Sequence, residues 1–197
     1  MYGPRTAKAV AAFKKDNHFL DFVVNKTMES AFNYSGQKCS ACSVLYVPEN
    51  TLDYIADKFK NSINDYNLRN ENYGVIHNQS YNKLNQICED LKNDNDVEFI
   101  INEKNNDDKS YYIHPQVVIC RKHDHYVFNK EFFGPILAIY PYNQDHYEET
   151  IYKCITSNKY ALTGSVFSQD QNFINYARNA FKCKTGNFYI NDKSTGS

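Results

Sequence analysis

The chain has 197 residues, of which 42% are hydrophobic and 23% are charged, and its formal net charge is −1. This length and composition are typical of a globular protein with one core, so we expect a single domain over residues 1–197. The mixed, nearly neutral charge does not favour nucleic acid as a partner, and no apolar run reaches the roughly 20 residues of a membrane span.

The predicted elements alternate between helices and strands along the chain. Leu20, Val24 and Ala31 recur at helical spacing, and the pattern stops at Ser35-Gly36, where glycine can end a helix. The next segments are a strand at 43–47, a helix at 52–63, a helix at 80–91 capped by Ser80, and a strand at 97–101.

Residues 102–110 are polar, and we expect an exposed loop there. The remaining predictions are strands at 111–119 and 136–140, a helix at 147–155, a strand at 163–167, a helix at 171–181 and a strand at 188–190. This alternation indicates an α/β fold, with a mostly parallel sheet and helices on both faces.

The six cysteines indicate a reduced compartment, because only two lie close together and a secreted disulfide framework is usually denser in cysteine. The basic residues of segment 1–15 do not form a convincing transit peptide, so no targeting signal is predicted and the residues alone favour the cytoplasm. His123 and His125 alternate as metal ligands on a strand can, but their charged neighbours favour a solvated loop, and no metal site is predicted.

Residues 36–43 read Gly-Gln-Lys-Cys-Ser-Ala-Cys-Ser and place Cys39 directly before a predicted strand. A nucleophilic cysteine reacts as the thiolate, so it requires surroundings that favour the charge and donors for an oxyanion. Gly36 permits a tight turn, and Lys38 adds positive potential if it points inward. Cys39 and Cys42 also form a Cys-x-x-Cys pair, which leaves a redox pair or half of a zinc site as alternatives.

Three ordered segments resemble the aldehyde dehydrogenase superfamily: 36–48, the Glu-Phe-Phe-Gly-Pro of 131–135, and Gly-Asn-Phe-Tyr-Ile-Asn-Asp-Lys-Ser-Thr-Gly-Ser at 186–197. With residues 161–170, they look like the Δ1-pyrroline-5-carboxylate dehydrogenase family. That family oxidises L-glutamate γ-semialdehyde to glutamate with NAD in the mitochondrial matrix. The resemblance extends from about residue 21 to the end and is weaker over residues 61–110.

The resemblance implies a role for each matching residue. Cys39 would add to the aldehyde, hydride would pass to the nicotinamide of NAD, and water would release the acid from a thioester. Glu131 would bind the ribose hydroxyls of NAD, and Phe133 would pack beside that ribose. The substrate carboxylate would be held by Ser40, Gly196 and Ser197. The resemblance also implies a small-molecule aldehyde substrate and homo-oligomers in the full-length family.

The sequence departs from the family in two ways. The Glu-x-Gly-Gly-Lys motif that carries the general base is absent, and residues 1–15 contain no acid. No Gly-rich turn of a nucleotide-binding domain occurs either. We therefore expect a catalytic domain truncated at both ends, with little or no turnover and doubtful NAD binding by itself. The alternative is a non-catalytic paralogue that acts as an interaction or regulatory partner.

Overall fold

The computed structural model describes residues 6–11, 16–69, 73–101, 106–157 and 161–195. Seven strands form one sheet in the order β3-β4-β5-β2-β1-β6-β7. The strands are β1 Thr6–Ala11, β2 Cys42–Pro48, β3 Val97–Ile101, β4 Gln116–Cys120, β5 Ile136–Tyr142, β6 Ala161–Phe167 and β7 Thr185–Ile190. Neighbouring strands among these residues pair in parallel except β3 with β4, which are antiparallel.

Helices cover both faces of the sheet, as the sequence predicted. They are α1 Asn17–Phe32, α2 Leu52–Arg69, α3 Asn78–Lys92, α4 Tyr147–Thr156 and α5 Gln171–Phe181. Strand β2 shows why two layers form, because its side chains alternate between the faces. Val44 and Tyr46 belong to the core beneath α3, α4 and α5, whereas Leu45 and Val47 belong to the core beneath α1 and α2. The α/β prediction is therefore confirmed.

Strand β1 was missed by the sequence reasoning, although it lies between β2 and β6 in the sheet. Its sequence, Thr-Ala-Lys-Ala-Val-Ala, contains a lysine and few β-branched residues, which conceals a central strand. Lys8 is nonetheless only 2% exposed. Its ammonium group donates to the carbonyl of Cys154 and to Ser157 Oγ at the C-terminal end of α4, where cations are favoured.

Two other local predictions were wrong. The strand predicted at 111–119 begins only at Gln116, because Tyr111 has a left-handed backbone (φ 57°) and Tyr112 makes an isolated bridge to Asp107. Helix α3 begins two residues before Ser80, and its cap is His77, whose Nδ1 accepts from the backbone N–H of Ser80 at 3.0 Å. An imidazole is a less common cap than a hydroxyl, so the sequence pointed to the wrong residue.

The loop that carries the two histidines is more closely packed than the sequence predicted. His123 Nε2 lies 3.1 Å from the hydroxyl of Tyr46, and its ring stacks on Phe128. His125 accepts from the backbone N–H of Val127 and pairs with Asp94 at 2.9 Å.

No described helix is long and apolar enough to cross a membrane.

Candidate active site

The thiol segment follows α1 through a turn with an unusual backbone. Tyr34, Ser35 and Gly36 have φ values of 55°, 56° and 66°, so three consecutive residues adopt the left-handed conformation. Non-glycine residues seldom adopt it, and such outliers cluster at ligand and catalytic sites. The turn ends α1 and places Cys39 in a loop between the helix and β2.

Cys39 lies in a shallow cleft that opens to solvent. The cleft also includes Glu131 and Phe133, so residues more than 90 positions apart in the sequence meet at one site. Cys39 is exposed, and Phe133 is 45% exposed with a left-handed backbone (φ 57°). The structure therefore brings together the predicted nucleophile and both residues predicted to bind the cofactor, although their roles stay predictions.

Segment 131–135 is not a strand, although by itself it resembles a strand that enters a turn. Residues 131–133 are irregular and residues 134–135 form a bend before β5. This irregular backbone allows Phe133 to be exposed at the cleft, while the preceding Phe132 is buried in the core.

Lys38 lines the cleft, and its ammonium nitrogen lies 4.4 Å from the centroid of the Tyr34 ring. This cation–π contact directs the positive charge of Lys38 toward the ring of Tyr34, the first residue of the turn. Tyr34 in turn stacks on Tyr73, with ring centroids 5.6 Å apart. Gln37 joins the same two segments, because its Oε1 accepts from the backbone N–H of Ile76 at 2.8 Å.

The two thiols of the Cys-x-x-Cys pair lie in different surroundings. Cys42 is buried, and its thiol donates to the carbonyl of Val44 at 3.4 Å. Burial raises the pKa of Cys42 to about 12, so its thiolate is scarce at neutral pH. Cys39 is exposed. This contrast disfavours a redox pair, and no cluster of three or more His, Cys, Asp or Glu suited to a metal occurs among the described residues.

Ser40 and the last described residues meet beneath the thiol loop. Ser194 Oγ donates to the carbonyl of Ser40 at 3.3 Å, and both Ser194 and Thr195 are buried. Gly196 and Ser197, which were predicted to bind the substrate carboxylate, lie outside the described residues. The chain is therefore packed against the rest of the fold as far as Thr195.

Sequence reasoning missed Ser30, which joins the thiol loop to this terminal segment. Ser30 Oγ accepts from the backbone N–H of Cys42 at 3.2 Å and lies 3.0 Å from Ser194 Oγ. The available signal was a serine among apolar residues of α1, which is a weak signal because buried serines are common in helices. Only the fold brings residues 30, 42 and 194 together.

A model of the aldehyde dehydrogenase family matches residues 8–197. The chain is 34% identical over 195 residues to "Delta-1-pyrroline-5-carboxylate dehydrogenase, mitochondrial" of Dictyostelium discoideum. That match covers 93% of this chain and 35% of the relative, so the chain spans about a third of the length of this relative.

Solved structures give the same likeness. The Delta-pyrroline-5-carboxylate dehydrogenase of Mycobacterium tuberculosis superposes with a TM-score of 0.86 and 26% identity over 98% of this chain and 36% of that chain. A second structure of the Mycobacterium tuberculosis protein, bound with NAD, superposes with a TM-score of 0.82 and 24% identity over 99% and 36% of the two chains. The second likeness supports the fold.

Proposed function

This chain belongs to the aldehyde dehydrogenase family, and we propose that it is the catalytic-domain portion of an NAD-dependent enzyme that oxidises L-glutamate γ-semialdehyde to glutamate. The observation that carries this proposal is the exposed Cys39 in one cleft with Glu131 and Phe133. A thiol in an open cleft beside a carboxylate and an exposed aromatic ring suits addition to an aldehyde next to a nucleotide.

Cys39 acts as the nucleophile in this proposal. Its thiolate sulfur forms a bond to the aldehyde carbon, the carbonyl π bond breaks, and the oxygen takes up a proton to give a thiohemiacetal. Lys38 lines the same cleft, while its ammonium nitrogen contacts the ring of Tyr34. Because Cys39 is exposed, the aldehyde reaches the sulfur without a rearrangement of the core.

The cleft also contains two side chains whose chemistry fits NAD. The carboxylate of Glu131 can accept hydrogen bonds, as a group that binds the two ribose hydroxyls must, and Phe133 presents an exposed ring against which the ribose or the flat nicotinamide would pack. NAD, when bound, supplies the two-electron acceptor for the oxidation. Glu131 and Phe133 would hold it in the cleft that contains Cys39.

The substrate class rests on the relatives and on the residues that the resemblance assigns to the substrate carboxylate. The curated relatives are named for pyrroline-5-carboxylate, the cyclic form of a semialdehyde that carries a carboxylate. Ser40, Gly196 and Ser197 provide short donors that let the backbone approach that carboxylate closely. The "mitochondrial" in the relatives' names supports the mitochondrial matrix as the location, and the family supports homo-oligomers.

The isolated 197-residue chain should turn over slowly, since a positioned general base contributes typically about 10²–10⁴-fold and the Glu-x-Gly-Gly-Lys motif does not occur in these residues. The same observation favours a second candidate, a non-catalytic paralogue that acts with a partner. Light scattering, which measures the mass of the particle in solution, tests this second candidate. A clean monomer with no partner argues against it.

Labelling of Cys39 tests the proposal. Iodoacetamide should alkylate Cys39 in the purified chain, and glutamate semialdehyde should slow that alkylation by occupying the thiol. The Cys39→Ser variant should lose the labelled peptide while the exposed Cys183 stays labelled as an internal control. Absence of protection at any aldehyde concentration would overturn the substrate assignment, and rapid NADH formation would overturn the expectation of weak turnover.

A further inference from the structure

Helix α1 contacts the end of the chain along one face. Lys26, Glu29 and Ser30 have the i, i+3, i+4 spacing that places three side chains on one side of a helix. Lys26 pairs with Asp192 at 3.0 Å, and Glu29 pairs with Lys193 at 3.2 Å. Ser30 contacts both Ser194 and Thr195, so consecutive residues of segment 192–195 are each bound to α1.

Ser30 Oγ has three hydrogen-bonding partners, and the direction of two of these bonds is fixed. Ser194 donates its hydroxyl proton to the carbonyl of Ser40, so it accepts from Ser30. Ser30 therefore has no second proton to donate, and the Thr195 hydroxyl has two acceptors within reach, Ser30 Oγ and the carbonyl oxygen of Ser30 at 3.5 Å. With the backbone N–H of Cys42, which donates to it, Ser30 Oγ has partners in both the thiol segment and segment 194–195.

The buried part of this contact contributes more to stability than the exposed part does. Ser30, Ser194 and Thr195 are buried, and a buried hydroxyl that loses its partner is costly. Lys26 and Asp192 are partly exposed, and exposed ion pairs contribute little. The thiol loop and the terminal segment are thus held together by the hydroxyl of Ser30 and by the direct hydrogen bond from Ser194 to the carbonyl of Ser40.

We infer that Ser30 is a positioning residue that fixes the Ser40 loop against segment 194–195 and thereby makes the site select aldehydes with a carboxylate. This inference rests on the proposed function, in which Ser40 and the residues directly after Thr195 hold that carboxylate. Ser30 does not touch the substrate. It acts by holding two separate segments at one spacing, and binding groups held in place gain affinity that mobile ones lose.

The test compares two aldehydes as protectants of Cys39 against iodoacetamide. The probe is 5-oxopentanoate, which carries the carboxylate at the substrate's distance and, without an amino group, does not cyclise. Pentanal is the neutral control. The carboxylate preference is the ratio of their half-protecting concentrations, measured on the 197-residue chain by mass spectrometry of the Cys39 peptide.

Ser30→Ala should lower this preference by about tenfold or more, with protection by pentanal unchanged. Thr195→Val, which keeps the side-chain shape and removes the hydroxyl, should lower it as well. Thr195→Ser, which keeps the hydroxyl, should retain it. Lys26→Ala should also retain it, since it removes only a partly exposed ion pair on the same helix face.

The possible failures are distinguishable. If the unaltered chain does not prefer 5-oxopentanoate, the proposed substrate class is overturned and the inference with it. If the unaltered chain shows the preference and both hydroxyl-removing variants keep it, only the role of Ser30 is overturned. Equal loss of protection by both aldehydes would also overturn that role, because it indicates general damage to the loop. Should Ser30→Ala fail to fold, the Thr195 variants test the role instead. A carboxylate preference that Thr195→Val keeps as fully as Thr195→Ser would overturn it.

Discussion

Gly36 lies directly against the backbone of Gly134. A Cβ atom at position 36 would lie 2.7 Å from the carbonyl carbon of Gly134 and 2.9 Å from the carbonyl oxygen of Ala31. Gly36 also has φ of 66°, where a side chain is strained. The turn before Cys39 and the segment after Glu131 and Phe133 therefore meet at Gly36, where backbone atoms leave no room for a side chain.

We predict that Gly36→Ala destabilises the chain by about 2–4 kcal/mol, because it adds a left-handed alanine and a clash with backbone atoms. Urea unfolding measures the loss. The rate of Cys39 alkylation relative to the exposed Cys183 reports whether the thiol loop has moved.

Gly36→Asn separates the two causes. Asparagine tolerates positive φ better than alanine, but it also carries a Cβ. If close packing dominates, Gly36→Asn should be nearly as harmful as Gly36→Ala. A free energy of unfolding for Gly36→Ala within about 0.5 kcal/mol of the unaltered chain would contradict this account.

The buried thiol of Cys42 should be almost inert beside Cys39. Because burial raises the pKa of Cys42 to about 12, its thiolate fraction at pH 8 is on the order of 10⁻⁴. We predict that iodoacetamide alkylates Cys42 at least about 100-fold more slowly than Cys39, as measured by peptide mass spectrometry. Ready formation of a Cys39–Cys42 disulfide, or one bound zinc per chain, would favour the Cys-x-x-Cys alternative instead.

The sequence predicted the fold well where apolar periodicity decides the structure. Helix α5, predicted within 171–181, has those bounds, and α4 differs from its prediction by one residue at its end. Strand β1 was missed because its identity depends on neighbours distant in the sequence. Lys8 becomes acceptable in a central strand only when α4 ends beside it.

The candidate site likewise contains residues that the sequence predicted and one residue that it did not. Cys39, Glu131 and Phe133 were found from their local motifs, and the structure places them in one cleft. Ser30 belongs to no motif, because its partners come from two other segments and are brought to it by the packing of α1. Local patterns therefore identify groups that perform chemistry, whereas groups that position them depend on contacts that no short stretch of sequence encodes.

Lys8 should give the chain a distinctive response to alkaline pH. Burial lowers the pKa of Lys8 below its ordinary 10.5, with the Cys154 thiol acting in the opposite direction. Between the folded and unfolded pKa values, the unfolded chain binds more protons at this group, so its contribution to stability rises with pH.

The Lys8→Met variant tests this response, because it keeps the apolar stem and removes the proton. We predict that the stability of the unaltered chain relative to Lys8→Met increases as the pH rises from 8 toward about 10.5. Thiols and tyrosines distant from Lys8 affect both proteins equally and cancel in the difference, and the coupled Cys154 thiol is replaced by Ala in both proteins. Lys26→Met, at a partly exposed position, is the matched control and should follow the unaltered chain. A constant difference between the chain and Lys8→Met across that range would contradict the prediction.

His123 should make the fold sensitive to mild acid. Burial is the largest cause that lowers the pKa of His123 to about 4, the charges of Lys8 and Lys153 add to it, and Asp124 opposes it. The unfolded chain takes up a proton near pH 6.5, whereas the folded chain does so only near pH 4. The contribution of His123 is therefore fully present above pH 6.5 and is lost as the pH falls toward 4.

Two variants remove this titration in different ways. His123→Phe preserves the stacking on Phe128, and His123→Gln preserves a hydrogen-bonding group for the hydroxyl of Tyr46. Whatever their stability at neutral pH, both should lose less stability than the unaltered chain between pH 6.5 and 4, as measured by urea unfolding at closely spaced pH values. If all three proteins lose stability in parallel, the acid response arises from other groups, and His123 is protonated as easily in the folded chain as in the unfolded one.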